Sequence, residues 1–260
     1  MIIDSHCHLD RVNLEKFDNQ LSNLLQQASD ANVKHMLCVS INLEDYDAML
    51  SLVEPFPQIS VSVGVHPTES NCKEPNVELL IELSQHEKNV AIGETGLDYH
   101  YDDNPIKQQH ERLVTHIEAA KQIQKPLIIH TREAAKDTIA LLKSENARDA
   151  SGVIHCFTED WAFAKAALDL NFYISFSGIV TFKNALKIKE VAKKVPDDRF
   201  LVETDSPYLA PVPFRGKPNY PLYVPHVVEH IATLRQQSIE TISQQSTMNF
   251  CNLFQPKLAS

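Results

Sequence analysis

The chain has 260 residues, 43% hydrophobic and 22% charged, which supplies one sizeable core and shows neither low-complexity nor repeat sequence. Its formal net charge of -10 opposes loose adhesion to nucleic acid or anionic membranes, although bound divalent cations would reverse the field inside a small cleft. Five scattered cysteines without a CxxC pair exclude a disulfide framework, and no apolar run reaches the ~20 residues that span a bilayer, so a cytoplasmic chain without leader or anchor is expected.

Short β-branched runs alternate with helical periodicity throughout. The first strand is expected at Ile2–Asp4, followed by a helix over Asp18–Asn32, where Leu21, Leu24, Leu25 and Ala28 recur on one face. Strands at His35–Ser40 and Ile59–Gly64 come next, then a helix near Val77–Glu87 and a strand at Val90–Gly93. Pro105–Ile123 predicts a helix with the proline at its first position and a stripe of Leu113, Ile117 and Ala120. Strands at Leu127–Ile129, Val153–Ile154, Phe172–Phe176 and Phe200–Glu203 alternate with helices near Glu133–Glu145, Asp160–Leu170 and Ala185–Val195. Two helices, Pro225–Arg235 and Ile239–Phe254, close the chain.

Eight such βα units predict parallel pairing and a closed (β/α)8 TIM barrel, one domain over residues 1–260. A doubly wound open sheet would place a glycine-rich phosphate turn after its first strand, and none follows Ile2–Asp4.

Polar residues fall at the strand ends. His6 and His8 follow the first strand, His66 the third, Glu94 the fourth, His130 the fifth, His155 the sixth and Asp205 the eighth. Barrel enzymes place their chemistry at that rim. His6 and His8, two apart, project the same way from an extended strand and can ligate one ion. Left to pair among themselves, four desolvated imidazoles and two carboxylates would be an expensive barrel plug. Six ligands suit two ions that share a carboxylate. Glu94 is the expected bridge, with His6, His8 and Asp205 on one ion and His130 and His155 on the other; two ions can activate a water and steady a leaving oxygen. The same alternation should turn Cys7 and Cys156 away from the site.

The strings DSHCHLD, GVHP, GETGLDY, KPLIIHTREA, GVIHCFTED, FYISFSGIVTF and LVETDSPYLAPVPFRGKPN resemble the TatD-related metal-dependent deoxyribonucleases, within the wider amidohydrolase-like superfamily. The resemblance runs from Asp4 to about Asn219. It implies a TIM barrel and a divalent-metal-dependent nuclease, a 3′-to-5′ exonuclease on DNA, with metal ligands at His6, His8, Glu94, His130, His155 and Asp205. Where the superfamily often bridges its metals with a carbamylated lysine, this chain has Glu94. The family is usually described as magnesium-dependent, whereas four imidazoles suit zinc, manganese or iron better.

Beyond the ligands, His66 sits above the small Ser60, Ser62 and Gly64 and reads as a substrate contact or proton donor to the leaving oxygen. Asp205 can take a proton from the attacking water with the oxygen that does not ligate. Glu203 reads either as orienting a ligand histidine or as a buried carboxylate bonded inside the barrel. Arg132 and Arg215 are expected to hold backbone phosphates, and Tyr99 and Trp161 are candidates for stacking an unpaired base. The expected partner is DNA, from a single-stranded or frayed 3′ end, with no membrane and no obligate protein partner. The alternatives are a barrel hydrolase of a small amide, lactone or phosphoester, and a binding protein with a vestigial site.

Overall fold

A computed structural model describes residues 1–70, 72–101 and 105–258. The eight strands are β1 (Ile2–Cys7), β2 (Val33–Cys38), β3 (Ile59–Val63), β4 (Asn89–Asp98), β5 (Leu127–Arg132), β6 (Gly152–Ile154), β7 (Phe172–Phe176) and β8 (Phe200–Val202). They form one sheet in sequence order, every neighbour parallel. A parallel bridge between Cys7 and Ser206 joins the last edge to the first, so the sheet closes as a (β/α)8 TIM barrel.

The helices among the described residues are α1 (Leu21–Asp30), α2 (Tyr46–Val53), α3 (Val77–Leu83), α4 (Ile106–Ile123), α5 (Ala135–Ser144), α6 (Trp161–Asp169), α7 (Leu186–Lys194), α8 (Val224–Arg235) and α9 (Ile239–Phe254). The expected stripe of α1 is buried as Leu21, Leu24, Leu25 and Ala28. Pro105 caps α4 in an extended conformation instead of taking its first helical position. Helix α2 is an addition to the expected set.

Alternation divides the strands into two layers. Outward residues such as Met36, Val61, Ile129, Ile154 and Ile174 pack under the helices. Inward residues Ile3, Leu37, Ala91, Ile128, Val153 and Leu201 fill the barrel, and Phe250, Leu253 and Phe254 of α9 seal its N-terminal end. The apolar plug thus occupies the bottom, which leaves the C-terminal rim to polar groups. No described helix is long and apolar enough to cross a membrane.

Two buried histidines outside the strand-end set support this frame. His35 lies inside the barrel with Nε2 2.8 Å from Ser60 Oγ, and burial, aided by Lys88, pushes its pKa down to about 4. His116 of α4 accepts the Val65 amide at 3.0 Å and donates to the Arg112 carbonyl at 2.7 Å, and burial pushes it down to about 4 as well. Both rings are neutral in the fold but titrate near pH 6.5 when unfolded. Between those values the unfolded chain binds more protons, so stability falls as pH drops. The loss is on the order of 3 kcal/mol per ring from pH 6.5 to 4. Urea unfolding at several pH values should show this slope, and it should flatten in a His35→Gln, His116→Gln variant.

Candidate metal centre

Two irregularities in the strands aim the chemistry inward. On β1 the pairs Asp4–Met36 and Cys7–Cys38 set three steps against two, which is a β-bulge. Simple alternation from the inward Ile3 would turn His6 and His8 outward. The extra residue flips the phase, so both face Glu94 while Cys7 packs among the outer core residues. On β4 the pairs Ile92–Leu127 and Thr95–Ile129 show the same mismatch. Ala91 points into the barrel before it; Glu94 does so after it, with Leu97 packed outside. Gly96, at φ 145°, lies so close to β5 that a Cβ there would come 2.0 Å from the His130 carbonyl oxygen. Only glycine allows that approach.

The two carboxylate oxygens of Glu94 face two different sets of donors. Oε2 lies 3.3 Å from His6 Nε2 and 3.9 Å from His8 Nε2. Those two nitrogens are 3.3 Å apart, and Asp205 Oδ1 lies 3.8 and 3.6 Å from them. Oε1 lies 2.7 Å from His155 Nε2, 3.3 Å from His130 Nδ1 and 3.4 Å from His66 Nε2. Donors held tetrahedrally at 2.0–2.1 Å from an ion are about 3.4 Å from one another. The His6, His8 and Asp205 donors around Oε2 therefore have the spacing of a cation's ligands. Around Oε1 the donors of His66, Glu94 and His130 lie within 4.8 Å of one another, and His155 Nε2 approaches the same oxygen.

Back-side partners fix which ring nitrogens face the cavity. His8 Nδ1 donates to the Val39 carbonyl at 2.9 Å, which leaves its Nε2 bare. His130 Nε2 lies 3.0 Å from Asp98 Oδ2, and His155 Nδ1 lies 3.3 Å from Glu203 Oε1. This is the arrangement that orients metal-ligating histidines. Buried His6 Nδ1 has no hydrogen-bond partner among the described residues, and the His6 ring stacks on His155 at 3.9 Å. A further grouping, His6, His155 and Glu203, also has donor atoms within 4.8 Å of one another. Glu203 Oε1 is taken by the Cys156 amide at 2.7 Å, which favours support of His155.

Burial opposes every charge here, yet the set polarises itself. Despite burial, His155, His66 and His6 hold Glu94 well below the usual carboxylate range. Burial is likewise outweighed at His155, which Glu94 and Glu203 hold well above the ordinary imidazole value. At His66 burial wins over Glu94 and pushes the pKa down to about 3.

The rim residues are distributed less evenly. His66 and Arg132 line a cavity of about 710 Å³ above Glu94. Arg215 does not; it is exposed, with its guanidinium over the Phe182 ring at 4.3 Å. Tyr99 bonds His110 and Asp137, and Trp161 packs against the outer core. The cavity's aromatic residues are instead Tyr101 and Tyr208, 52% and 53% exposed. Cys156 also lines the cavity, contrary to strand alternation, because β6 has ended and the residue sits at φ 43°.

Two carboxylates carried no expected role. Asp4 spans the seam between β1 and β8, accepting from the Thr204 amide at 2.8 Å and its hydroxyl at 2.5 Å. That contact ties the segment bearing His6 to the one bearing Asp205. Asp98 shares the phase of Glu94 on β4, the one signal in the sequence that could have found it. Asp98→Asn removes the charged partner of His130 and should weaken metal binding roughly 10–100-fold, measured by titration calorimetry of the metal-free protein.

Comparison with known proteins shows what the chain as a whole is similar to. The family model described as TatD related DNase matches residues 3–255. The chain is 46% identical over 254 residues to the metal-dependent hydrolase YcfH of Escherichia coli K12, covering 97% of this chain and 95% of that protein. It is 41% identical over 255 residues to the metal-dependent hydrolase YabD of Bacillus subtilis, covering 98% and 99%. The crystal structure of YjjV, a TatD homologue from E. coli K12, superposes with a TM-score of 0.88 at 27% identity, covering 98% of each chain.

Proposed function

The chain belongs to the TatD-related DNase family and is a metal-dependent hydrolase, and on that premise we propose that it cuts phosphodiester bonds of DNA from a single-stranded or frayed 3′ end. Glu94 carries the reading: each of its oxygens faces a separate donor set. His6, His8 and Asp205 would hold one divalent ion and His130 and His155 a second, with Glu94 shared. Magnesium, manganese and zinc are the candidate ions, the imidazoles favouring the latter two. Bound there, such ions lower the pKa of a water and neutralise charge on a phosphate.

The remaining work falls to the protein. Asp205 Oδ1 lies on the His6 and His8 side and would ligate there, which leaves its second oxygen to accept a proton from the attacking water. His66 Nδ1 accepts the Thr68 amide at 3.2 Å, so a neutral ring carries its proton on Nε2, towards Glu94 and the cavity. With its pKa held low by burial, His66 donates a hydrogen bond to the phosphate or leaving oxygen without carrying a full charge. Arg132, on the cavity wall beside Tyr101, offers a fork for a phosphate.

The test is digestion of 3′-labelled and 5′-labelled single-stranded DNA by chelated and metal-restored enzyme. Early release of the 3′ label, only with metal, is expected. Release of neither label with any ion, alongside turnover of small amides, lactones or phosphotriesters, would replace the DNA reading with a small-substrate one.

A further inference from the structure

Two stretches of this acidic chain contain no acid. Residues 170–189 and 206–228 hold no Asp or Glu, although the chain has 34. The first runs through β7 into α7 and the second follows β8, and the fold brings their loops together. The Val212 amide donates to Thr181 Oγ1 at 2.9 Å. Gly178 packs so tightly under Leu209 that a Cβ would come 2.0 Å from its carbonyl oxygen. Arg215 lies over Phe182, next to Lys183 in the chain. Ile179, Tyr208 and Leu209 of the same loops line the cavity, so the ledge continues its wall outward.

The ledge carries exposed cations and exposed apolar surface side by side. Lys183, Arg215 and Lys217 are exposed and form no ion pair among the described residues. Arg199 and Arg235, by contrast, are paired with Asp198 and Asp197. Tyr208, Val212 and Leu186 are 53%, 48% and 69% exposed. A ligand that needs both features on one flexible chain is a single-stranded polynucleotide, whose phosphates take cations and whose unstacked bases take flat apolar faces.

We propose that this ledge binds the part of a single-stranded polynucleotide that extends away from the cleaved end; the proposal rests on the nuclease reading above. Arg215 then meets a phosphate beyond the one being cut, which accounts for its position outside the cavity.

The test compares kcat/KM on thymidine strands of two and twelve nucleotides over a range of salt, for the metal-loaded wild type and a Lys183→Ala, Lys217→Ala variant. Each lost phosphate contact should remove about 0.7 from the slope of log(kcat/KM) against log[salt] on a single strand. The double variant should therefore lose about 1.4 on the twelve-mer, and its preference for the longer strand should fall severalfold. The single variants, each at an exposed position, should lose about half of that slope apiece. An unchanged slope, or equal losses on both lengths, would overturn the ledge while leaving the nuclease reading intact. A wild type that cuts neither strand would overturn both.

Discussion

Glu94→Gln is expected to strip bound metal from the cavity and to lower hydrolysis by well over the ~100-fold that loss of an outer partner can cost. Glu94 is 2% exposed and is, among the described residues, the one whose oxygens reach both donor sets, at 3.3 Å from His6 and 2.7 Å from His155. Glutamine keeps the shape but offers a neutral oxygen to one set and an amide nitrogen, which donates, to the other. It also removes the negative charge that the surrounding imidazoles share. Elemental analysis of purified variant and wild type, with circular dichroism as a check of folding, reads the outcome. A variant that keeps its full metal content and turns over at the wild-type rate would show that Glu94 bridges nothing.

Asp205→Asn should produce a different pattern. Asp205 sits at φ 57°, a left-handed conformation that asparagine tolerates as well as aspartate, so the backbone should hold. Its amide still donates to the His6 carbonyl at 2.9 Å. What is lost is a charged ligand beside His6 and His8 and the proton acceptor for the attacking water. General-base catalysis is worth about 10²–10⁴-fold, so kcat should fall by that order with KM changed far less. Metal held through His130 and His155 should remain. A rise in KM at unchanged kcat would instead mark Asp205 as a substrate contact.

The barrel was legible because each strand and most helices announced themselves locally. Alternating β-branched runs and 3.6-residue stripes are short-range signals, and eight of each in order leave few topologies. Helix α2 escaped although its buried Tyr46, Met49 and Val53 recur at i, i+3 and i+7, because the pattern ends after eight residues, a length that strands share. The fourth strand seemed to stop at Gly93 because Gly93-Glu94-Thr95-Gly96 reads as a turn. Its continuation to Asp98 depends on pairing with β5 as far as Arg132, a non-local cause.

The candidate ligands were legible for a reason that holds only in part. Two residues apart means one face, and His6 and His8 do share one. Which face is decided by the bulge between Asp4 and Cys7, and nothing in the local sequence displays that bulge. Cys156 shows the limit from the other side, since alternation ceases to govern once a strand ends. Tyr99 and Trp161 drew notice as aromatics near loops, yet their packing partners come from elsewhere in the chain. Tyr101 and Tyr208 reach the cavity because of loop paths that periodicity does not describe.

Anomalous diffraction from crystals of the whole protein soaked in manganese addresses the central arrangement most directly. Two peaks flanking Glu94 are expected, one bounded by His6, His8 and Asp205 and the other by His130 and His155. Peaks elsewhere on the molecule, or none within reach of these side chains at saturating manganese, would contradict it.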